Sequence, residues 1–337
     1  MKFSNTYTIF LSSKALEKAI EHYTSLVSEE IASAALPDND VTVMDNFIHT
    51  RGNYEQQRYS SSVFDGAIEV FKDALTDDLK QHALLDWVAL HNSLGNVLAA
   101  TGQQRRDEDL YRQAIAAFNN ALEELSQEAH PVEWATTLYN LATASQALGG
   151  LLGDVKSLKA AVDAYTSALL VWTREASPVE WMYTMHQLGL TLHMYAMQLK
   201  GNRNFQKSVV AYKNARAVLD ADGYPLELTA THNNRAIVLH HLGESEENPE
   251  RLQEAIRAYE KALTVSMEQQ LPFHLAVICR VNKATAQNAL AELTKDAALA
   301  DEVADEFELI LECFPHALQP LCVKHCQAQL SKAQSLR

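Results

Sequence analysis

Residues 130–134 read HPVEW and residues 177–181 read SPVEW, so one five-residue segment recurs with little change 47 positions later. The same spacing joins a column of large apolar residues, which consists of Trp87, Trp134, Trp181, Leu228 and Leu275. A fixed period of this length is the signature of a repeat architecture in which each repeat is one supersecondary unit. The sequence therefore predicts a series of consecutive 47-residue units.

A second column has the same period and joins a small residue to an aromatic ring four positions later. The small residues are Ala67, Ala114, Ala161, Ser208 and Ala255, and the rings are Phe71, Phe118, Tyr165, Tyr212 and Tyr259. Residues four apart share one face of an α-helix, where a small side chain lets a neighbouring helix approach and the ring fills the remaining space. A proline followed by a first-turn acid, such as Pro131 and Glu133, is typical of a helix start. Each unit is therefore predicted to be a pair of helices.

Composition supports an all-α fold class. The 337 residues include only 11 glycines and 8 prolines, which leaves little material for turns or linkers, and 47% of the residues are apolar. We expect a single domain over residues 1–337. Capping helices are predicted at 1–39, repeats at 40–318, and a closing helix that begins at Pro320 within 319–337.

These units resemble the tetratricopeptide repeat, in which a Leu-Gly pair in the first helix precedes an Ala-x3-aromatic pair in the second. The Leu-Gly element stands at Leu94-Gly95, Leu141-Ala142 and Leu188-Gly189, and the second element at Ala114-x3-Phe118, Ala161-x3-Tyr165 and Ala255-x3-Tyr259. The departure is in length, because the usual repeat has about 34 residues. Units this long look like those of bacterial tetratricopeptide arrays. The resemblance implies an α-solenoid, a right-handed superhelix of about six helical hairpins with terminal capping helices.

The resemblance also implies a concave groove, lined by the first helices, in which a peptide or protein surface binds. The groove positions carried over from the repeat are Asn92, Asn96, Tyr139, Tyr183, His186, His193, Asn233, His240 and Arg280. Asparagine suits such a groove because its side chain pairs with both the N–H and the C=O of a bound backbone. This groove would carry few charges, which disfavours acidic tails as ligands. A solvated face without a ligand is the alternative interpretation.

Metal and cofactor sites are not predicted. Cys313 and His316, followed by Cys322 and Cys326, have the spacing nearest to that of zinc ligands. Free cysteine is nevertheless among the most buried residues, so packing inside a capping helix is the favoured interpretation. His186 and His193 lie seven residues apart, and two histidines are too few for a metal centre.

Charge narrows the class of partner. Lysine and arginine total 28 against 43 acidic residues, and a net charge of −15 disfavours nucleic acids and anionic membranes. No apolar stretch is long enough to span a bilayer, and residues 1–14 lack a signal-peptide core, so we expect a cytoplasmic protein.

The sequence favours a binding function over a catalytic one. The sequence contains neither a phosphate-cradling glycine loop nor a nucleophile elbow, so we expect a binding protein rather than an enzyme. The leading prediction is a protein–protein interaction scaffold that binds a peptide or protein surface in the concave groove. The alternatives are a regulatory sensor, whose superhelix responds to a signalling peptide or small molecule, and an assembly protein that forms a homodimer.

Overall fold

The computed structural model describes residues 8–10, 14–26, 46–47, 61–199, 201–313 and 320–336. In these ranges the chain forms 14 α-helices and one antiparallel pair of two-residue strands, β1 (Ile9–Phe10) and β2 (Asn46–Phe47). The predicted all-α class is thus confirmed for the described residues, apart from that short pair. Predictions made for 27–45 and 48–60, which include part of the capping helices and the first repeat, lie outside the described residues.

From α2 onward the helices follow one another with short connections. They are α1 (Lys14–Leu26), α2 (Ser61–Ala74), α3 (Asp77–His82), α4 (Leu84–Arg105), α5 (Glu108–Glu123), α6 (Pro131–Leu152), α7 (Val155–Ala168), α8 (Pro178–Gln198), α9 (Arg203–Arg216), α10 (Pro225–Glu246), α11 (Pro249–Glu268), α12 (Phe273–Thr294), α13 (Ala297–Cys313) and α14 (Pro320–Gln334). The last helix begins at Pro320, where the sequence predicts it.

The described residues divide into two compact units. The first unit comprises residues 14–26 and 61–198, and the second comprises residues 8–10, 46–47, 199, 201–313 and 320–336. The prediction of a single domain over 1–337 therefore stays a prediction.

Within each unit, helices pack against their neighbours in sequence. In the first unit, each helix from α4 to α7 contacts the next one, α4 also contacts α6, α6 also contacts α8, and α1 packs on α2 and α4. In the second unit, α9 through α14 repeat the pattern, with additional α10–α12 and α12–α14 contacts, and β1 lies against α10. Alternate helices that touch in this way are what stacked two-helix units require.

The small-and-aromatic column forms the core of these contacts. All ten of its residues are 0% exposed, from Ala67 and Phe71 in α2 to Ala255 and Tyr259 in α11. Gly95 shows how closely the helices approach, because a Cβ atom there would lie 2.5 Å from the Phe118 ring. The prediction that these residues face a neighbouring helix is confirmed, and close packing of this kind fixes how each pair of helices fits together.

The turn between the two helices has the same backbone conformation in at least three hairpins. Arg106, Gly153 and Glu247 each end a first helix in the left-handed conformation, with φ of 55°, 66° and 47°. The next residue then caps the second helix, as Asp107 does by accepting from Asp109 N at 2.9 Å. A left-handed residue reverses the chain at a helix end, and glycine adopts that conformation most easily.

Candidate functional site

The nine predicted groove residues divide into two groups by burial. His186, His193, Asn233 and His240 are buried, with at most 8% of each residue exposed. The half-buried residues are Asn92, Asn96, Tyr139, Tyr183 and Arg280. In this structure the buried group does not present its side chains to solvent, and ligand binding by all nine residues stays a prediction.

The asparagines join neighbouring repeats. Asn92 on α4 donates from Nδ2 to Thr137 Oγ1 on α6 at 2.8 Å, and Asn140 Nδ2 donates to Asn92 Oδ1 at 2.9 Å. The second unit has the equivalent bond, in which Asn282 Nδ2 on α12 donates to Asn233 Oδ1 on α10 at 2.9 Å. These bonds connect first helices across the repeat boundary, where a buried polar group needs a partner.

Other predicted groove residues also have neighbours in the fold. Tyr139 packs edge-on against Tyr165, with ring centroids 5.5 Å apart, and burial raises its pKa. Arg280 Nη2 donates to Glu306 Oε2 at 3.0 Å. Burial lowers the pKa of His186 to about 3 and that of His193 to about 4, so both imidazoles are neutral near pH 7.

His240 differs from these histidines in its hydrogen bonding. It is 0% exposed, and neither ring nitrogen has a hydrogen-bond partner among the described residues. Glu244 Oε1 lies 3.7 Å from His240 Nε2.

A cleft of about 300 Å³ between α9, α10 and α11 gathers positive charge. We call it the basic cleft, and its lining residues are Lys213, Arg216, His232, Arg235, Glu254, Arg257, Ala258 and Lys261. Five lysine or arginine side chains therefore face a single carboxylate, in a chain whose net charge is −15. Such a concentration of cations attracts an anion.

One arginine is held at the cleft by the single acid. Arg235 Nη2 donates to Glu254 Oε1, and only 19% of the Arg235 side chain is exposed. Its Nε is buried and has no hydrogen-bond partner among the described residues. Arg216, Arg257, Lys213 and Lys261 are exposed. The cleft therefore combines one positioned guanidinium with four cations that can adjust to a ligand.

His232 lies in the interior of the same cleft. It is 6% exposed, and its Nδ1 is buried without a hydrogen-bond partner in the described part of the chain. Burial, together with the positive charges of Arg216, Lys261 and Arg235, lowers the pKa of His232 to about 4. The imidazole is therefore neutral near pH 7, with one N–H donor and one acceptor nitrogen.

Sequence analysis missed the basic cleft, although the 47-residue spacing contains a signal for it. Arg216 stands in a column that is otherwise Leu75, Leu122, Leu169 and Leu263. Arg235 stands where the three preceding units have Leu94, Leu141 and Leu188. Arginine thus stands in place of leucine on α9, the second helix of one unit, and on α10, the first helix of the next unit.

A second cleft, of about 370 Å³, lies at the connection between α11 and α12. Its lining is mostly apolar and includes Leu263, Leu271, Val277 and the predicted groove residue Arg280. Met267 and Phe273 at its edge are 65% and 58% exposed. This cleft has the character of a contact surface for apolar side chains.

The cysteines do not form a metal centre within the described residues. No group of three or more histidine, cysteine or acidic side chains there is close enough to hold an ion. Cys322 and Cys326 are buried in α14, Cys313 is exposed, and His316 lies outside the described residues. Burial raises the pKa of Cys279 to about 12, which keeps this thiol protonated and unreactive.

Comparison with known proteins gives no family assignment. No family model matches the chain, and no curated protein matches its sequence. None of the described helices combines the length and the apolar character that a membrane span needs. The tetratricopeptide resemblance therefore rests on the residues that carry it.

Proposed function

We propose that this protein is an interaction scaffold, a tetratricopeptide-like α-solenoid that binds an anionic segment of a partner peptide or protein. The observation that carries the proposal is the basic cleft, in which five cations face one carboxylate. Binding would rest on charge-assisted hydrogen bonds and involve no covalent step.

We expect the arginines of the basic cleft to lower the stability of the fold, and this loss supports a role in binding. Leucine at positions 216 and 235 would add to the apolar core, as it does in the other units, whereas gathered like charges repel one another. Residues that break a local rule without a gain in stability are typical of functional sites. An anionic ligand would neutralise the repulsion and so account for the arginines.

The kind of anion follows from the rest of the surface. Nucleic acids and anionic membranes present extended arrays of negative charge, and a chain with a net charge of −15 repels them outside the cleft. A short acidic segment on a protein reaches the cleft without that penalty. This proposal replaces the predicted weakly charged groove with a local anion site where two successive repeats meet.

The regulatory sensor remains the second candidate, because one observation favours it. His232 and Arg235, which line the cleft, flank Asn233, whose side chain bonds Asn282 on the next first helix. A ligand that shifted α10 would therefore act directly on the contact between two repeats.

The test uses short fluorescent peptides in which glutamate alternates with apolar residues, and matched peptides with glutamine in place of glutamate. We expect anisotropy to report binding of the glutamate series alone, and the Arg216→Leu/Arg235→Leu variant to bind about tenfold more weakly. The matched control is Lys207→Leu/Lys324→Leu, which removes the same charge from two exposed sites outside the cleft. Equal weakening in both variants would attribute binding to net charge and refute the proposal.

A further inference from the structure

The basic cleft has more cationic hydrogen-bond donors than the two oxygens of one carboxylate can bind. Three helices contribute cations: Lys213 and Arg216 from α9, Arg235 from α10, and Arg257 and Lys261 from α11. Glu254, which is bonded to Arg235, is the only acid in the lining. A carboxylate brings one negative charge and two oxygens, whereas a phosphate monoester brings nearly two charges and three strongly accepting oxygens. The excess of cations therefore matches the phosphate better.

Two buried nitrogen atoms of the cleft residues have no hydrogen-bond partner among the described residues, Arg235 Nε and His232 Nδ1. The Arg235 Nε–H is a donor, and the neutral His232 ring donates from Nδ1 in one of its two tautomers. A buried polar group that stays unpaired is costly, so these groups beside a cation cluster point to a ligand that supplies acceptors. The Glu254 contact fixes the Arg235 guanidinium, so less conformational freedom is lost when a ligand binds it.

The size of the cleft suits a phosphate attached to a side chain. Its volume of about 300 Å³ exceeds that of a lone anion and lies at the lower end of the range for ligand sites. The lining is open to solvent through four exposed cations, so a phosphorylated residue can enter while still attached to its chain.

We infer that the basic cleft binds a phosphate monoester carried by a phosphorylated side chain of the partner protein. This inference rests on the proposed function and specifies the ligand group of the same site. Arg235 and His232 donate to the phosphate oxygens from the interior, and Arg216, Lys213, Arg257 and Lys261 neutralise its charge from the rim.

The experiment compares four probes with the full chain at constant physiological ionic strength: N-acetyl-phosphoserine amide, the N-acetyl-glutamate amide, inorganic phosphate and a short single-stranded oligonucleotide. Calorimetry gives the affinities, and NMR follows the imidazole resonances of His232. We expect the phosphoserine derivative to bind at least tenfold more tightly than the glutamate derivative and to shift the His232 resonances.

Variants locate the binding. Arg216→Leu/Arg235→Leu should lose the preference for phosphoserine, and His232→Leu should weaken phosphoserine binding severalfold, whereas Lys207→Leu/Lys324→Leu should retain both. Leucine already stands in other units at the positions equivalent to Arg216, His232 and Arg235. Circular dichroism verifies that the variants fold.

Each other outcome overturns the inference in its own way. Equal binding of the phosphoserine and glutamate derivatives would remove the phosphate preference and leave the proposed function standing. Tighter binding of inorganic phosphate than of phosphoserine would make the ligand a free anion, and tighter binding of the oligonucleotide would make it a nucleic acid. If no probe binds while glutamate peptides do, only the inference fails. If neither class binds, both proposals fail.

Discussion

Acidification should destabilise this protein between pH 6.5 and pH 4 because it buries neutral histidines. Burial lowers the pKa of His193 to about 4, against about 6.5 in an unfolded chain. Between pH 6.5 and pH 4 this histidine is therefore protonated in the unfolded state and neutral in the folded state. The contribution of the neutral histidine to stability is fully present above pH 6.5 and is lost as the pH falls below it. At pH 5 the loss from one such histidine is about 2 kcal/mol.

Four further histidines have the same property, since burial lowers the pKa of His186 to about 3 and those of His91, His232 and His325 to about 4. Their combined loss approaches the whole stability of an ordinary domain, roughly 5–15 kcal/mol. We expect the urea midpoint, followed by far-ultraviolet circular dichroism, to fall steeply from pH 7 to pH 5.

The histidine contribution is isolated by His193→Gln, because glutamine already stands at the matching positions Gln146 and Gln287. This variant should lose about 2 kcal/mol less than wild type between pH 7 and pH 5. The control Lys207→Gln changes an exposed residue and no histidine, and it should retain the wild-type dependence. An identical pH dependence in His193→Gln and wild type would refute the reasoning.

Four other variants test the fold and the site, each by the free energy of unfolding in urea. Gly153→Ala should lower stability by about 1 kcal/mol, because φ is 66°. The added Cβ meets no atom closer than 3.7 Å, so the effect comes from the backbone alone. Glu247→Gly at the equivalent turn should raise stability by a similar amount, and effects of the same sign would contradict this. Phe118→Ala should cost about 3–5 kcal/mol because the ring is 0% exposed, and a cost below about 1 kcal/mol would contradict the packing. Arg216→Leu/Arg235→Leu should raise stability by about 1 kcal/mol through relief of like-charge repulsion, and a loss would mean that the arginines stabilise the fold.

The helix pairs could be predicted from the sequence because their determinants are local and periodic. The spacing of Ala114 and Phe118 depends only on which face of a helix is buried, and that face is the same in every unit. Pro131 begins α6 because a proline at the first helical position loses no hydrogen bond. Predictions of this kind need no knowledge of what lies on the next repeat.

The groove residues could not be placed in the same way because their surroundings depend on a neighbouring unit. The prediction that Asn92 faces a ligand comes from the resemblance to the tetratricopeptide repeat, which places a groove position there. Its partners are Thr137 and Asn140, which lie 45 and 48 residues further along the chain. Polar residues about one repeat length apart in the chain can bond to each other across two stacked repeats. The sequence alone does not show how close their side chains lie.

Net charge does not describe any single site because it averages over the whole surface. The value of −15 belongs to the full chain, whereas the basic cleft collects five cations at one place. Charge controls binding over about a Debye length, roughly 8 Å at physiological salt. The local balance in the cleft therefore decides what binds there, and the rest of the chain decides what is kept away.

Two adjacent helices can carry such a site because of how a stacked array is stabilised. The stability of an array is approximately a sum over its units and their interfaces, so one interface can lose apolar contacts while its neighbours keep theirs. Helix α9, the second helix of one unit, departs from its columns at Ser208 and Arg216, and α10, the first helix of the next unit, departs at Arg235, yet Tyr212 and Ala215 remain 0% exposed. The core that holds the helices together is thus separate from the positions that changed. In a chain built from one repeated pattern, the helices that break the pattern while keeping their core are where a binding site is to be sought.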